Sequence, residues 1–378
     1  MINIARNVKH KLILLLKQQY TSIGGQAVIE GVMMRSPNAF VVAVRKNDGS
    51  IRLRRDQWYG LSKKFPLMKK PLLRGVLMLV ESMANGLVSL NYSADVVMHE
   101  ELKEEALKKG KSLEEFEKEQ ASKQKISIAT FLTIAASFAF GIGLFIFLPH
   151  FLAALVSNYF EKGWDLDSFE FHAIDGLIKG TIFLTYIGGI GLIPDIRRVF
   201  QYHGAEHKSI STFEAEQELK VENAEKFTTL HPRCGTSFLF FLLFISIVLF
   251  SGVFAVVPIG KGLPLIPRHI VAVLFKIVLV FPIAGISYEL IKLAGKYSSN
   301  PLSKLISLPG MMLQKLTTRE PDREQLEVAL ASIKAVLQLE KQYNLEQADK
   351  KILTLEEIDI KDLSEIADTN ANFKEFLE

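Results

Sequence analysis

Residues 126–148 read ISIATFLTIAASFAFGIGLFIFL, an unbroken stretch without a charge. A bilayer core of about 30 Å is crossed by about 20 apolar residues in a helix, so this stretch predicts a membrane span. Residues 236–258 (TSFLFFLLFISIVLFSGVFAVVP) are equally clean, while 270–295 holds Lys276 and Glu289, and 173–193 holds Asp175 and Lys179. Four spans are therefore expected. With 49% hydrophobic residues the chain is mixed, part membrane and part water. The single cysteine, Cys234, excludes an internal disulfide framework.

Charge sets the expected orientation. Seven lysines lie in 99–125 and six lysines or arginines in 197–233, against one in 149–172 and two in 258–269. The positive-inside bias then places the two basic segments and both termini in the cytoplasm of a multi-pass protein of the cell inner (plasma) membrane. The formal charge of +4 hides an acidic tail, with ten acidic and five basic residues from Lys341 onward. The basic residues flank apolar runs, which suits anionic membrane lipids and excludes nucleic acid as the expected partner.

Outside the spans, 2–19 predicts a basic amphipathic helix lying on the membrane or packed on the protein. Residues 71–92 carry apolar side chains at helical spacing (Leu72, Leu73, Val76, Leu77, Val80, Met83, Leu87) with Arg74, Glu81 and Asn85 elsewhere, as in a one-faced helix that is interfacial or re-entrant. A turn at Asn47, Asp48 and Gly49 between FVVAVR (40–45) and IRLRR (51–55) predicts a β-hairpin. Residues 102–124 look like a charged, solvated helix. After Pro321, Leu326, Leu330, Ile333, Leu337 and Leu339 mark an amphipathic helix, followed by a mobile acidic tail.

The expected fold is thus mainly α: a polytopic membrane protein with about four transmembrane helices, a small N-terminal β-hairpin element, and a cytosolic helical loop and tail. It divides into a cytosolic and interfacial region (1–125), a four-helix membrane domain (126–295) whose cytosolic loop 195–235 bears the reactive residues, and a cytosolic C-terminal helix and acidic tail (296–378).

Those reactive residues open with His203-Gly-Ala-Glu206-His207. Histidines at i and i+4 project from one side of a helix, so both can reach one ion, and Glu206 can address a water there, in the order H-x-x-E-H of inverted zinc hydrolases. His231-Pro-Arg233-Cys234, in the same segment, offers an imidazole or a thiolate as a further ligand, and this mixed donor set suits a divalent metal, zinc above all. If His203, His207, His231 and Cys234 all ligate, the shell is closed and the metal structural; catalysis needs one position left open. Glu289 fits three roles: ligand, partner of a ligating histidine, or ion-pair mate of Lys292 or Lys276. Asp175 and Lys179 form a structural i,i+4 pair. In GGQAVIEGVMMR (24–35), Glu30 and Arg35 place opposite charges in an apolar run and suggest a buried, paired glutamate, though such a stretch is more often a packed turn.

GGQAVIEGVMMR, QYHGAEHK, HPRCGTSF, ISYELIK and LTTREPDREQLEVA, in that order, resemble the YqhQ-like family, the domain of unknown function numbered 1385, over roughly 22–337. The resemblance implies a metal-dependent integral membrane enzyme of bacteria without an established substrate. Positions matching its motifs are His203, Glu206, His207, His231, Arg233, Cys234, Glu30, Arg35 and Glu289.

Three functions are open to such a chain. The first is a metal-dependent hydrolase at the cytosolic face, in which Glu206 takes the proton of a water and Arg233 steadies an oxyanion or an anionic headgroup, acting on a lipid, lipid-linked or membrane-protein substrate. The second is a non-enzymatic scaffold or regulator with a structural metal, offering a protein partner the C-terminal helix and acidic tail. The third is a small oligomeric transporter using Lys276, Asp175 and Glu289, its oligomeric state left open.

Overall fold

The computed structural model describes residues 23–58, 70–110, 128–160, 164–257, 259–296, 300–346 and 356–366. The expected surface helix over 2–19 lies outside these residues, as do most of the charged stretch 102–124 and the last part of the tail.

Five strands form one antiparallel meander: β1 (Gly24–Val28), β2 (Gly31–Arg35), β3 (Ala39–Arg45), β4 (Ile51–Gln57) and β5 (Glu356–Ile360). The expected hairpin is β3 and β4, with Gly49 at φ 84° in its turn. Sequence reading undercounted the sheet for two reasons. GGQAVIEGVMMR is a hairpin in its own right, hidden by its glycines, and the acidic tail contributes an edge strand. Charge pairing explains that edge: Arg52 lies opposite Asp359, Arg54 opposite Glu357 and Arg55 opposite Glu356. Arg52 Nη2 donates to Asp359 at 2.9 Å and Arg55 to Glu356 at 3.0 Å, while Leu53 sits opposite Ile358. The tail over 356–366 is therefore part of the fold.

Both sheet faces are covered, which is why β3 reads as a continuous apolar run instead of alternating. Val41 and Ala43 face a core shared with two helices, α5 (Pro194–Glu214) and α10 (Arg323–Glu346). Leu326, Leu330, Ile333, Leu337 and Leu339, the stripe read from the sequence, are buried there. Phe40, Val42 and Val44 point the other way, toward Tyr92, Val96 and Val97 of α1 (Leu73–Lys108).

The membrane part comprises α2 (Ile128–Ile142), α3 (Leu148–Tyr159), α4 (Phe169–Ile190), α7 (Thr236–Val256) and α8 (Leu265–Lys296), with α9 (Pro301–Thr317) against α7 and α8. A short α6 (Val221–Ala224) lies in the loop after α5. The π-turn Gly143–Phe147 joins α2 to α3, so Pro149, whose nitrogen has no proton to donate, is absorbed without ending the helix.

Four spans were expected, but five helices are long and apolar enough to cross a membrane: Leu73–Lys108, Ala135–Tyr159, Phe169–Ile190, Thr236–Val256 and Leu265–Leu293. The protein is a multi-pass membrane protein, and α1 is the additional candidate. Its later half lies along the sheet, through Tyr92, Val96 and Val97 and a Lys46–Glu100 ion pair, and its start is held to α8. Arg74 pairs with Glu289, its Nε donating at 2.6 Å, and Gly75 brings α1 so close to α8 that a Cβ there would lie 2.9 Å from Gly285 Cα. Of the partners expected for Glu289, Lys292 adds electrostatic attraction, but Arg74 holds the carboxylate, which anchors α1 instead of joining the histidines.

Candidate metal centre

Helix α5 opens at Pro194, with Asp195 in its first turn, and carries the HGAEH motif between the sheet and the segment joining α9 to α10. Two glycines permit this. At Gly204 a Cβ would fall 2.1 Å from the Arg319 carbonyl oxygen, and the Arg319 amide donates to Phe200 O at 2.9 Å. At Gly25, in β1, a Cβ would meet Glu206 Cγ at 2.8 Å and Met33 O at 2.7 Å. The glycine-rich N-terminal motif and the histidine motif are thus two halves of one contact.

The histidines are oriented by backbone carbonyls. His203 Nδ1 donates to Thr317 O at 2.9 Å and His207 Nδ1 to Thr229 O at 2.5 Å, which leaves both Nε2 atoms with free lone pairs. His203 Nε2 lies 3.2 Å from Cys234 Sγ, and one ligand atom from each of His203, His207 and Cys234 falls within 4.8 Å of the others. His207 Nε2 is buried with no hydrogen-bond partner among the described residues. A buried nitrogen of this kind costs free energy unless something binds it. Burial pushes His207 below the usual imidazole range. The Thr236 amide and hydroxyl approach Cys234 Sγ at 3.4 and 3.2 Å.

Glu206 lies beside this group, its Oε2 4.0 Å from His203 Nε2. Burial pushes its carboxyl above the usual carboxylate range, against the pull of His203, His231 and the Gly25 backbone.

Of the expected ligands His231 stands apart. Gln314 of α9 clamps its backbone through two hydrogen bonds of 2.8 Å, and its Nε2 lies 3.4 Å from Glu214. Its ring centre is 5.7 Å from that of His207. Arg233, half-exposed, is ion-paired to the same Glu214.

Glu30 and Arg35 do not pair with each other. Glu30, at φ 50° in the β1–β2 turn, accepts hydrogen bonds from Arg198 Nη2 at 2.7 Å and Tyr202 Oη at 3.2 Å, tying α5 to the sheet just ahead of His203. Arg35 stacks on Trp58 with 4.9 Å between guanidinium and ring centre. Sequence reading missed Gly25, Gly204, Gln314 and the carbonyls of Thr229 and Thr317. The only signal for Thr317 was its place in the LTTREPDREQ motif, since a carbonyl acts whatever its side chain.

Gly204→Ala is expected to destabilise the protein by about 1–3 kcal/mol, because the new methyl meets backbone and not a yielding side chain. Thermal unfolding in detergent reads this as a lowered Tm; an unchanged Tm would mean that the segment around Arg319 gives way freely.

A family described as "Protein of unknown function (DUF1385)" matches residues 70–339. The chain belongs to this family. The "Uncharacterized protein YqhQ" of Bacillus subtilis (strain 168) is 36% identical over 325 residues, spanning 84% of this chain and 92% of the relative. The family match contains the whole HGAEH and HPRC region and reaches through α10 as far as Leu339. No solved structure matches the chain.

Proposed function

We propose that this DUF1385 member is a metal-dependent membrane hydrolase whose site lies at the sheet-bearing end of the helices. The observation that carries the reading is the convergence of two carbonyl-oriented imidazoles on a thiol, with the Nε2 of His207 buried and unpartnered. Two nitrogens and a sulfur fit a divalent ion of zinc type, and His203, His207 and Cys234 would hold it. The ion would supply Lewis-acid activation of a water at an open position.

The protein's own residues do the rest. Glu206, beside His203, accepts the proton of the attacking water and returns it to the leaving group. Thr317 and Thr229 hold both imidazoles in the tautomer that offers Nε2. Arg233 lies at the rim, where it would receive an anionic group by exchanging Glu214 for it. Because the site sits next to the N-terminus of α7, the favoured substrates are a lipid, a lipid-linked molecule or a membrane protein.

One second reading, a closed structural site in a scaffold or regulator, would need the His231 ring, 5.7 Å from that of His207, to leave Glu214 and turn to the ion. X-ray absorption at the metal edge separates the two. Two nitrogens and one sulfur with an exchangeable oxygen are expected for the enzyme; a closed shell of three nitrogens and one sulfur would overturn it in favour of the staple.

Orientation is part of the proposal: the sheet and the metal site face the cytoplasm, as the lysine and arginine bias favours. With Cys234 replaced by serine, a cysteine at exposed Glu218 should resist impermeant thiol reagents on intact cells and react after lysis. Labelling from outside would invert the scheme.

A further inference from the structure

At the end of the bundle remote from the sheet, α3, α4 and α8 bury a second set of ionisable residues. Asp175 and Lys276 are each 1% exposed, and Lys276 Nζ donates to Asp175 Oδ2 at 2.8 Å. Lys179 Nζ lies 3.8 Å from the same oxygen, and both ammonium groups sit over the Phe250 ring, at 4.9 and 5.3 Å. The surroundings add no other counter-charge among the described residues. Helix α7 has no charged residue, α3 supplies His150, α4 adds His172, and Arg268 is taken by Asp165 and Asp167.

One carboxylate therefore faces two lysines inside the bilayer, an excess of one positive charge. Excess charge at that depth is costly, and ionisable groups in spans mark ion or proton paths. A proton that can leave relieves the cost. The exit is built: Lys276 Nζ lies 3.1 Å from His150 Nδ1, and His150 Nε2 lies 2.8 Å from His269 Nδ1. His269, near the start of α8, is half-buried, beside the Arg268 ion pairs.

We propose that this cluster is a proton-exchange site, in which the buried Asp175–Lys276 pair trades one proton with the water at this end of the bundle through His150 and His269. The Lys276 Nζ–H bond breaks as a proton forms His150 Nδ1–H; the His150 Nε2 proton moves to His269 Nδ1, and the His269 Nε2 proton passes to water. Uptake runs the same transfers backward, which restores each imidazole tautomer without a ring flip. In the released state the cluster holds Asp175 and one lysine charged, and is neutral. Among the described residues Lys179 meets Asp175 and the Phe250 ring, and the hydrogen-bonded chain that leaves the pair runs through His150 and His269.

The test uses the full chain in lipid nanodiscs with ¹⁵N-labelled lysine side chains, Lys276 being assigned by its loss in Lys276→Met. Lys276 Nζ is expected to pass from ammonium to amine on raising the pH while the surface lysines remain ammonium. His150→Phe and His269→Phe should slow its exchange with water by an order of magnitude or more. Where the signal is broadened, a pH dye outside the discs should count one proton fewer released by Lys276→Met after an alkaline jump. If His150→Phe does not fold, His269→Phe decides, because that ring is half-buried and, among the described residues, hydrogen-bonded to His150 alone. An ammonium that persists over the whole tolerated range, or exchange indifferent to both histidine variants, would make the cluster a plain helix staple and overturn the proposal.

Discussion

Purified protein stripped of adventitious metal with a weak chelator is expected to retain about one zinc-type ion per chain, and His203→Ala or His207→Ala to retain almost none. Each substitution removes one of three donors and also opens a hydrogen bond to a backbone carbonyl, to Thr317 in one case and Thr229 in the other. Cys234→Ser should weaken binding strongly while sparing the fold, because the hydroxyl keeps the Thr236 contacts but is a poorer donor to a zinc-type ion. His231→Ala separates the two readings of the site. With His231 held against Glu214, the open site predicts that its loss leaves the metal in place, whereas a closed shell predicts release. Elemental analysis of the variants beside the wild type checks all of this. A wild-type protein without metal, or histidine variants that keep it, would remove the basis of the proposed chemistry.

What could be read from the sequence depended on whether a feature announces itself through its own side chain. The α10 stripe was legible because Leu326, Leu330, Ile333 and Leu337 repeat at helical spacing against one surface. The HGAEH pair was legible because i,i+4 spacing on one helix is local geometry. Glu289 was not, since its partner Arg74 lies on a helix more than two hundred residues earlier. The five-stranded sheet was half hidden for a related reason. Strand β5 is acidic and exposed in composition, and it becomes a strand only because Arg52 and Arg55 wait on the edge of β4. Periodicity sees the face that an element buries; it does not see a partner brought by the fold. The role of Gly25 shows the same limit, because a missing side chain signals freedom of the backbone but not that Glu206 fills the space.

The same contact makes Glu206→Gln the sharpest test of catalysis. The amide has nearly the volume of the carboxylate, so it fits under Gly25 without displacing β1. It removes the proton acceptor and, in a buried place, also a charge that is costly to desolvate. The hydrolase reading therefore predicts a variant with wild-type metal content and an equal or higher Tm that has lost about 10²–10⁴-fold in rate, and that fails to complement a strain lacking the protein. A structural site predicts the opposite division: His203→Ala and His207→Ala lower the Tm and abolish complementation, while Glu206→Gln is nearly silent. The measurements to be set side by side are metal content, thermal unfolding in detergent and complementation at matched expression. Full complementation by Glu206→Gln would end the enzyme reading even with metal bound, because among the described residues no other carboxylate lies within a helical turn of both histidines on α5.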